Sequence, residues 1–164
     1  RRGWLVFRLR TETGMTMRPL IFLCARFAIA ACDAPTAADD GPAHERHELM
    51  EGVRDAAKPI GKMLKGEVDY DAATVMSSLQ TFQDASLVFG DLFPAGSEAF
   101  ETSEAAPAIW EDREGFNEAL ATWQEAVNAA MAAAPQTLDE AKPTVGPIFK
   151  TCKNCHDTYR IEKE

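Results

Sequence analysis

At 164 residues the chain is long enough to enclose one sizeable core and too short for two domains of ordinary size. Hydrophobic residues make up 46% of it and aromatics only 9%, with Ala abundant and Val and Ile sparse, a balance that favours helices over sheet. The formal net charge of -9 argues against binding nucleic-acid phosphates and suits a protein that meets basic patches on partners.

Met15 and Met17 stand ahead of Arg18 and an apolar run from Pro19 to Cys32, the basic-then-apolar order of an export signal. The run is too short to span a bilayer and is interrupted by Arg26. Residues 1–14 precede the first Met and read as an upstream extension outside the fold, and residues 15–32 as a signal peptide or lipoprotein signal. Ile29-Ala30-Ala31-Cys32 resembles a lipoprotein box, in which Cys32 carries a lipid anchor, while the small residues around Ala30 and Ala37 also suit ordinary cleavage. Residues 33–43 show no apolar periodicity and read as a flexible linker, leaving 44–164 as the folded domain. A periplasmic location, with or without the anchor, is the expectation.

From His44 to about Lys65, Leu49, Met50, Val53, Ala57, Ile60 and Leu64 recur at spacings of three and four, which predicts a first helix, bent or divided at Pro59 and stopped at Gly66. Asp71 can cap a second, whose stripe is Val75, Leu79, Phe82, Ala85, Val88, Phe89 and Leu92. It should end before Phe93-Pro94-Ala95-Gly96. The stretch Gly96 to Pro107 has no period and reads as a crossing loop. A third helix, from about Asp112 to Ala134, places Phe116, Leu120, Trp123, Val127 and Met131 on one face. The fourth begins at Thr137, which with Glu140 makes a capping-box pattern, and Gly146-Pro147 predicts a kink or a late start. Four amphipathic helices without a credible strand predict an all-α, antiparallel four-helix bundle.

Cys152-Lys153-Asn154-Cys155-His156 is a C-x-x-C-H sequence, in an exported chain the attachment pattern for c-type haem. Residues three and four apart share a helix face, so Cys152 and Cys155 can each present a sulfur to a vinyl group and His156 its imidazole to the iron. A zinc site would need two more ligands, for which only His44 and His47 remain in the domain, and a thioredoxin-like dithiol would need a βαβ setting. One covalent haem c is therefore expected.

Around this motif the chain resembles the cytochrome c′ family of four-helix-bundle cytochromes. The likeness runs from about Arg46 to Lys163 and rests on Leu49-Met50, Lys65-Gly66-Glu67 with Tyr70-Asp71-Ala72-Ala73, Leu92-Phe93-Pro94-Ala95-Gly96-Ser97, Ile109-Trp110 with Phe116, and Cys152 to Asp157 with Tyr159-Arg160. Gly146-Pro147 departs from the family pattern. The family divides by what the first helix sets over the iron. High-spin members place a non-ligating apolar residue there and bind small gases such as nitric oxide; low-spin members, often called cytochrome c-556, place a Met.

Met50 stands at the matching position, four residues after Arg46, so the resemblance implies a low-spin haem with His156 proximal and Met50 distal, closest to the c-556 type. A Met/His pair raises the reduction potential and disfavours gas binding. The resemblance also sets Arg46 and Arg160 close to the haem, where either could pair with a propionate. Electron transfer to redox partner proteins follows, by a monomer or a homodimer. The alternatives are a five-coordinate gas binder, with Met50 only packing the core, and a peroxidase-like enzyme, for which the first helix offers only His47 as an acid/base. No P-loop, dinucleotide fingerprint, nucleophile elbow or zinc-protease motif is present, and no enzyme activity is expected.

Overall fold

The computed structural model describes residues 41–98 and 103–161. The expectations for residues 1–40, including the export signal and Cys32, lie outside the described residues.

Helix α1 spans Gly41–Leu64, starting at Gly41 rather than His44 and so taking in the end of the segment read as linker. The cause is Ala43, which is buried and carries the inward stripe of Arg46, Met50, Val53 and Ile60 one turn further back. Pro59 sits inside α1 without dividing it. A proline forfeits its own N–H bond, a loss of roughly 3 kcal/mol in an unsupported helix, and here burial of Ile60 and Met63 on the next turn offsets it. The helix stops where Gly66 adopts φ +74, with Gly66 N–H donating to Met63 O (2.9 Å) and Glu67 N–H to Lys62 O (2.9 Å), the paired bonds of a Schellman motif.

Helix α2 (Ala72–Val88) begins at Asp71, whose carboxylate accepts the Thr74 N–H, and passes into a 3₁₀ turn over Phe89–Leu92, ending before Phe93 as expected. The crossing segment is more ordered than its lack of period suggested. It contains a short helix, α3 (Ala108–Glu111), and an isolated bridge between Ala105 and Arg160. Both are held by distant partners, since Ile109 is buried with Phe93, Phe116 and Tyr159.

Helix α4 (Arg113–Ala133) is capped by Asp112, and α5 (Leu138–Tyr159) by Thr137. Thr137 Oγ1 accepts the Glu140 N–H (3.3 Å), while the Glu140 carboxylate accepts the N–H of Gln136 (2.7 Å), one residue earlier than in a capping box. The late start expected at Gly146-Pro147 is corrected: α5 is helical from Leu138 through both Pro143 and Pro147. Buried Ala141, Val145 and Ile148 flank the prolines and hold that stretch against the core.

Helices α1, α2, α4 and α5 make an antiparallel four-helix bundle in which α1 packs on α2, α2 on α4, α4 on α5 and α5 back on α1. Its main core joins Ile60, Val75, Leu79, Phe82, Val127, Val145 and Ile148, all but closed to solvent. At one end the Tyr70 hydroxyl donates to Pro135 O (2.7 Å) and ties the two loops there together. At the other end lie the start of α1, the crossing segment and the close of α5. No described helix is long and apolar enough to cross a membrane.

Candidate cofactor site

On α5 the inward positions Ile148, Cys152, Cys155 and Tyr159 follow at spacings of four, three and four, so both thiols fall on the buried side of the helix. They rest on different apolar clusters. Cys152 packs against the main core beside Ile148 and Trp123, whereas Cys155 packs against a second cluster of Phe93, Ile109, Phe116 and Tyr159. A cavity of about 370 Å³ opens where the two clusters meet.

The six site residues named from the sequence, Arg46 and Met50 on α1 and Cys152, Cys155, His156 and Arg160 at the close of α5, all line this cavity. Met50 faces it from one helix and the C-x-x-C-H residues from another. One wall is aromatic: Phe89–Phe93, Phe93–Phe116 and Phe116–Tyr159 meet edge to face at centroid separations of 5.0, 5.0 and 5.3 Å. His47 also lines the rim but is exposed, with Glu51 at 3.9 Å.

Both cysteines are free thiols. Burial raises the pKa of Cys152, and burial followed by the neighbouring Cys152 pushes Cys155 up to about 11, so both are protonated sulfurs at neutral pH. Partial burial and then the charge of Arg160 lower the His156 pKa, against the opposing pull of Glu104 and Asp157. Its imidazole is therefore inclined to the neutral form that a metal ligand needs.

Arg46 departs from the exposed position usual for an arginine: it is 5% exposed. One guanidinium nitrogen donates to Leu92 O (2.8 Å) and Ser97 Oγ (3.1 Å), the other to Ser97 O (3.1 Å) and Ser103 Oγ (3.3 Å). The plane lies over Phe93, 4.8 Å from the ring centroid. No carboxylate pairs with it among the described residues, although an arginine keeps its charge in a protein. The cavity wall thus holds a fixed cation for which the described residues supply no anion.

Arg160 is paired, its Nε donating to Glu104 Oε2 at 2.8 Å. Ser103, Glu104 and Ala105 line the cavity as well and were not read from the sequence. They belong to a segment without period, and nonlocal contacts bring them in: the bridge of Ala105 to Arg160 and the bond from Arg46 to Ser103.

Two thiols three residues apart, an imidazole directly after the second, a thioether opposite and a buried cation fit a covalently held porphyrin bearing acidic side groups. The geometry agrees with the wider comparisons. Residues 42–160 match the model of the family described as Cytochrome C'. The chain is 35% identical over 150 residues to a cytochrome c' of Rhodopseudomonas palustris, covering 90% of this chain and 95% of that protein. It is 31% identical over 123 residues to a cytochrome c-556 of Agrobacterium fabrum, covering 75% and 83%. The solved cytochrome c' of Rhodopseudomonas palustris superposes with a TM-score of 0.71 at 34% identity, over 75% of this chain and 98% of that one. By sequence and by fold, the chain belongs to the cytochrome c′ family.

Proposed function

We propose that this protein is a periplasmic c-type cytochrome that passes single electrons to and from partner proteins through one covalently attached haem, ligated by His156 and Met50. The carrying observation is that Met50 of α1 and His156 of α5 line the same apolar cavity, with both thiols on its wall. Cys152 and Cys155 would hold the group through their sulfurs. His156 and Met50 would hold the iron. When bound, the haem supplies a one-electron iron couple whose potential a Met/His pair raises.

The rest is the work of the chain. Phe93, Ile109 and Phe116 are buried on the cavity wall and exclude water from it. Arg46 provides a positive charge that the protein has already desolvated and fixed on Leu92, Ser97 and Ser103. With four of its five N–H groups taken, it would act on an acidic side group of the haem chiefly through its field, which favours the ferrous state. Met50 and His156 sit on helices of one packed bundle, so neither needs to move when the charge on the metal changes.

Ferric and ferrous absorption spectra of the matured protein, recorded with and without carbon monoxide, test the reading. A sulfur-to-iron charge-transfer band in the ferric form and indifference to carbon monoxide are expected. A high-spin ferrous spectrum that changes at once with the gas would assign Met50 to the cavity wall and make the protein a five-coordinate gas binder. Pigment extractable into acidified acetone would remove covalent attachment altogether.

A further inference from the structure

The crossing segment and the end of α5 are fastened to each other at one point of the cavity rim. Ile161 N–H donates to Glu104 O (2.7 Å) and Ala106 N–H to Tyr159 O (3.0 Å), which frames the single bridge between Ala105 and Arg160. Between these two backbone bonds the side chains of Glu104 and Arg160 meet at 2.8 Å. Arg160 follows His156 by one helical turn, its N–H donating to His156 O (3.2 Å), and Glu104, Arg160 and His156 all line the cavity.

The pair is 40% and 45% exposed, and an ion pair so open to water adds little to stability. Its effect lies in where it leaves the guanidinium. Arg160 carries a cation one turn beyond His156 and lines the cavity, whereas Lys153, one turn before it, pairs with Asp157 and does not. As the first residue past α5, Arg160 is not fixed by helix geometry. An unpaired arginine there would sample many rotamers, some along the imidazole edge and some in solvent. Paired, it takes one position, because the backbone bonds on either side have already set the approach of Glu104.

We propose that Glu104 is a positioning residue for His156, acting through Arg160: it pins the guanidinium at the cavity rim and so fixes the electrostatic and steric surroundings of the imidazole. This rests on His156 being the iron ligand. The consequence is that a carboxylate in the crossing segment, itself none of the residues that would hold the haem, tunes the His156 imidazole and with it the potential.

The test uses the haem-bearing protein and its variants Glu104→Gln, Glu104→Asp, Arg160→Gln and the double variant Glu104→Gln/Arg160→Gln. The readouts are the hyperfine-shifted proton resonances of the His156 ring in the ferric state and the midpoint potential. Glu104→Gln should move the His156 resonances and raise the potential, and Glu104→Asp should restore both toward the parent. In the Arg160→Gln background, Glu104→Gln should move the His156 resonances much less than in the parent, by no more than the direct pull of the carboxylate charge on the imidazole. Unmoved His156 resonances in Glu104→Gln, or a shift of equal size in both backgrounds, overturns the proposal. A parent protein showing no hyperfine-shifted imidazole resonances would instead remove His156 as ligand, which separates that failure from this one.

Discussion

The Tyr159 hydroxyl donates to Asp112 Oδ2 at 3.2 Å directly above Gly115, whose N–H donates to the other oxygen of the same carboxylate at 3.1 Å. One aspartate thus caps α4 and anchors the last turn of α5, the turn that follows the C-x-x-C-H residues. The arrangement requires glycine. A Cβ at position 115 would stand 2.2 Å from Asp112 Oδ2 and 2.7 Å from the Tyr159 hydroxyl oxygen.

Gly115→Ala should therefore destabilise the protein by roughly 1–3 kcal/mol, even though alanine is the better helix former, because the added methyl displaces the cap and its tyrosine together. Urea unfolding checks the magnitude. The loss should not add to that of Asp112→Ala, since both act on one carboxylate. Full additivity of the two would mean that the methyl disturbs something else.

Arg46 gives the second prediction. Replacing it by Met keeps the apolar stem and removes every donor to Leu92 O and Ser97 O, so the cost should be about 2–4 kcal/mol in the same unfolding experiment. Arg46→Lys should recover only part of it. An ammonium lacks the planar fork that here serves two carbonyls and two hydroxyls at once. If Lys restores full stability, charge rather than fork geometry holds the segment.

The same residue marks how far the sequence could be read. Cys152, Cys155 and His156 were legible because their chemistry is written in local spacing, and one helical turn turns that spacing into a shared face. Met50 was legible as part of an apolar stripe whose period the fold preserves. The burial of Arg46 was not, because a guanidinium goes inside only where enough acceptors wait, and these lie in residues 92, 97 and 103. Glu104 was silent for a similar reason, its place being set by a bridge to Arg160 far along the chain. Pro147 misled in the other direction. Read alone it breaks a helix, whereas in the bundle the buried side chains on both sides keep the helix whole.

Asp71 makes the third prediction, on pH. Hydrogen bonds from the Thr74 backbone and then its side chain hold the Asp71 carboxyl below its ordinary range. A depressed carboxyl contributes stability that is present above the unfolded-state pKa and is lost as pH falls through the folded one. At pH 7, Asp71→Ala should lower the melting temperature by roughly 2–5 °C. The gap between parent and variant should narrow from about pH 4 downward, the ordinary range of an aspartate. Melting curves from pH 7 to pH 2.5 follow it directly, and a gap unchanged at the acid end would show that the carboxylate is not what caps α2.

Trp123 makes the last prediction. Its indole nitrogen is buried and has no hydrogen-bond partner among the described residues, while the ring packs on the main core and lines the cavity. A buried donor without an acceptor costs about 1–3 kcal/mol, which the apolar contacts of the ring must outweigh for the residue to be stabilising. Trp123→Phe removes the orphan N–H along with part of the ring, so the two changes oppose each other and the net effect should stay within about 1 kcal/mol. Trp123→Ala removes the whole ring and should cost about 3–5 kcal/mol. Urea unfolding of both variants in the haem-bearing protein separates the terms. If Phe proved nearly as costly as Ala, the indole N–H would have an acceptor in the mature protein, and the bound cofactor would be the first place to look for it.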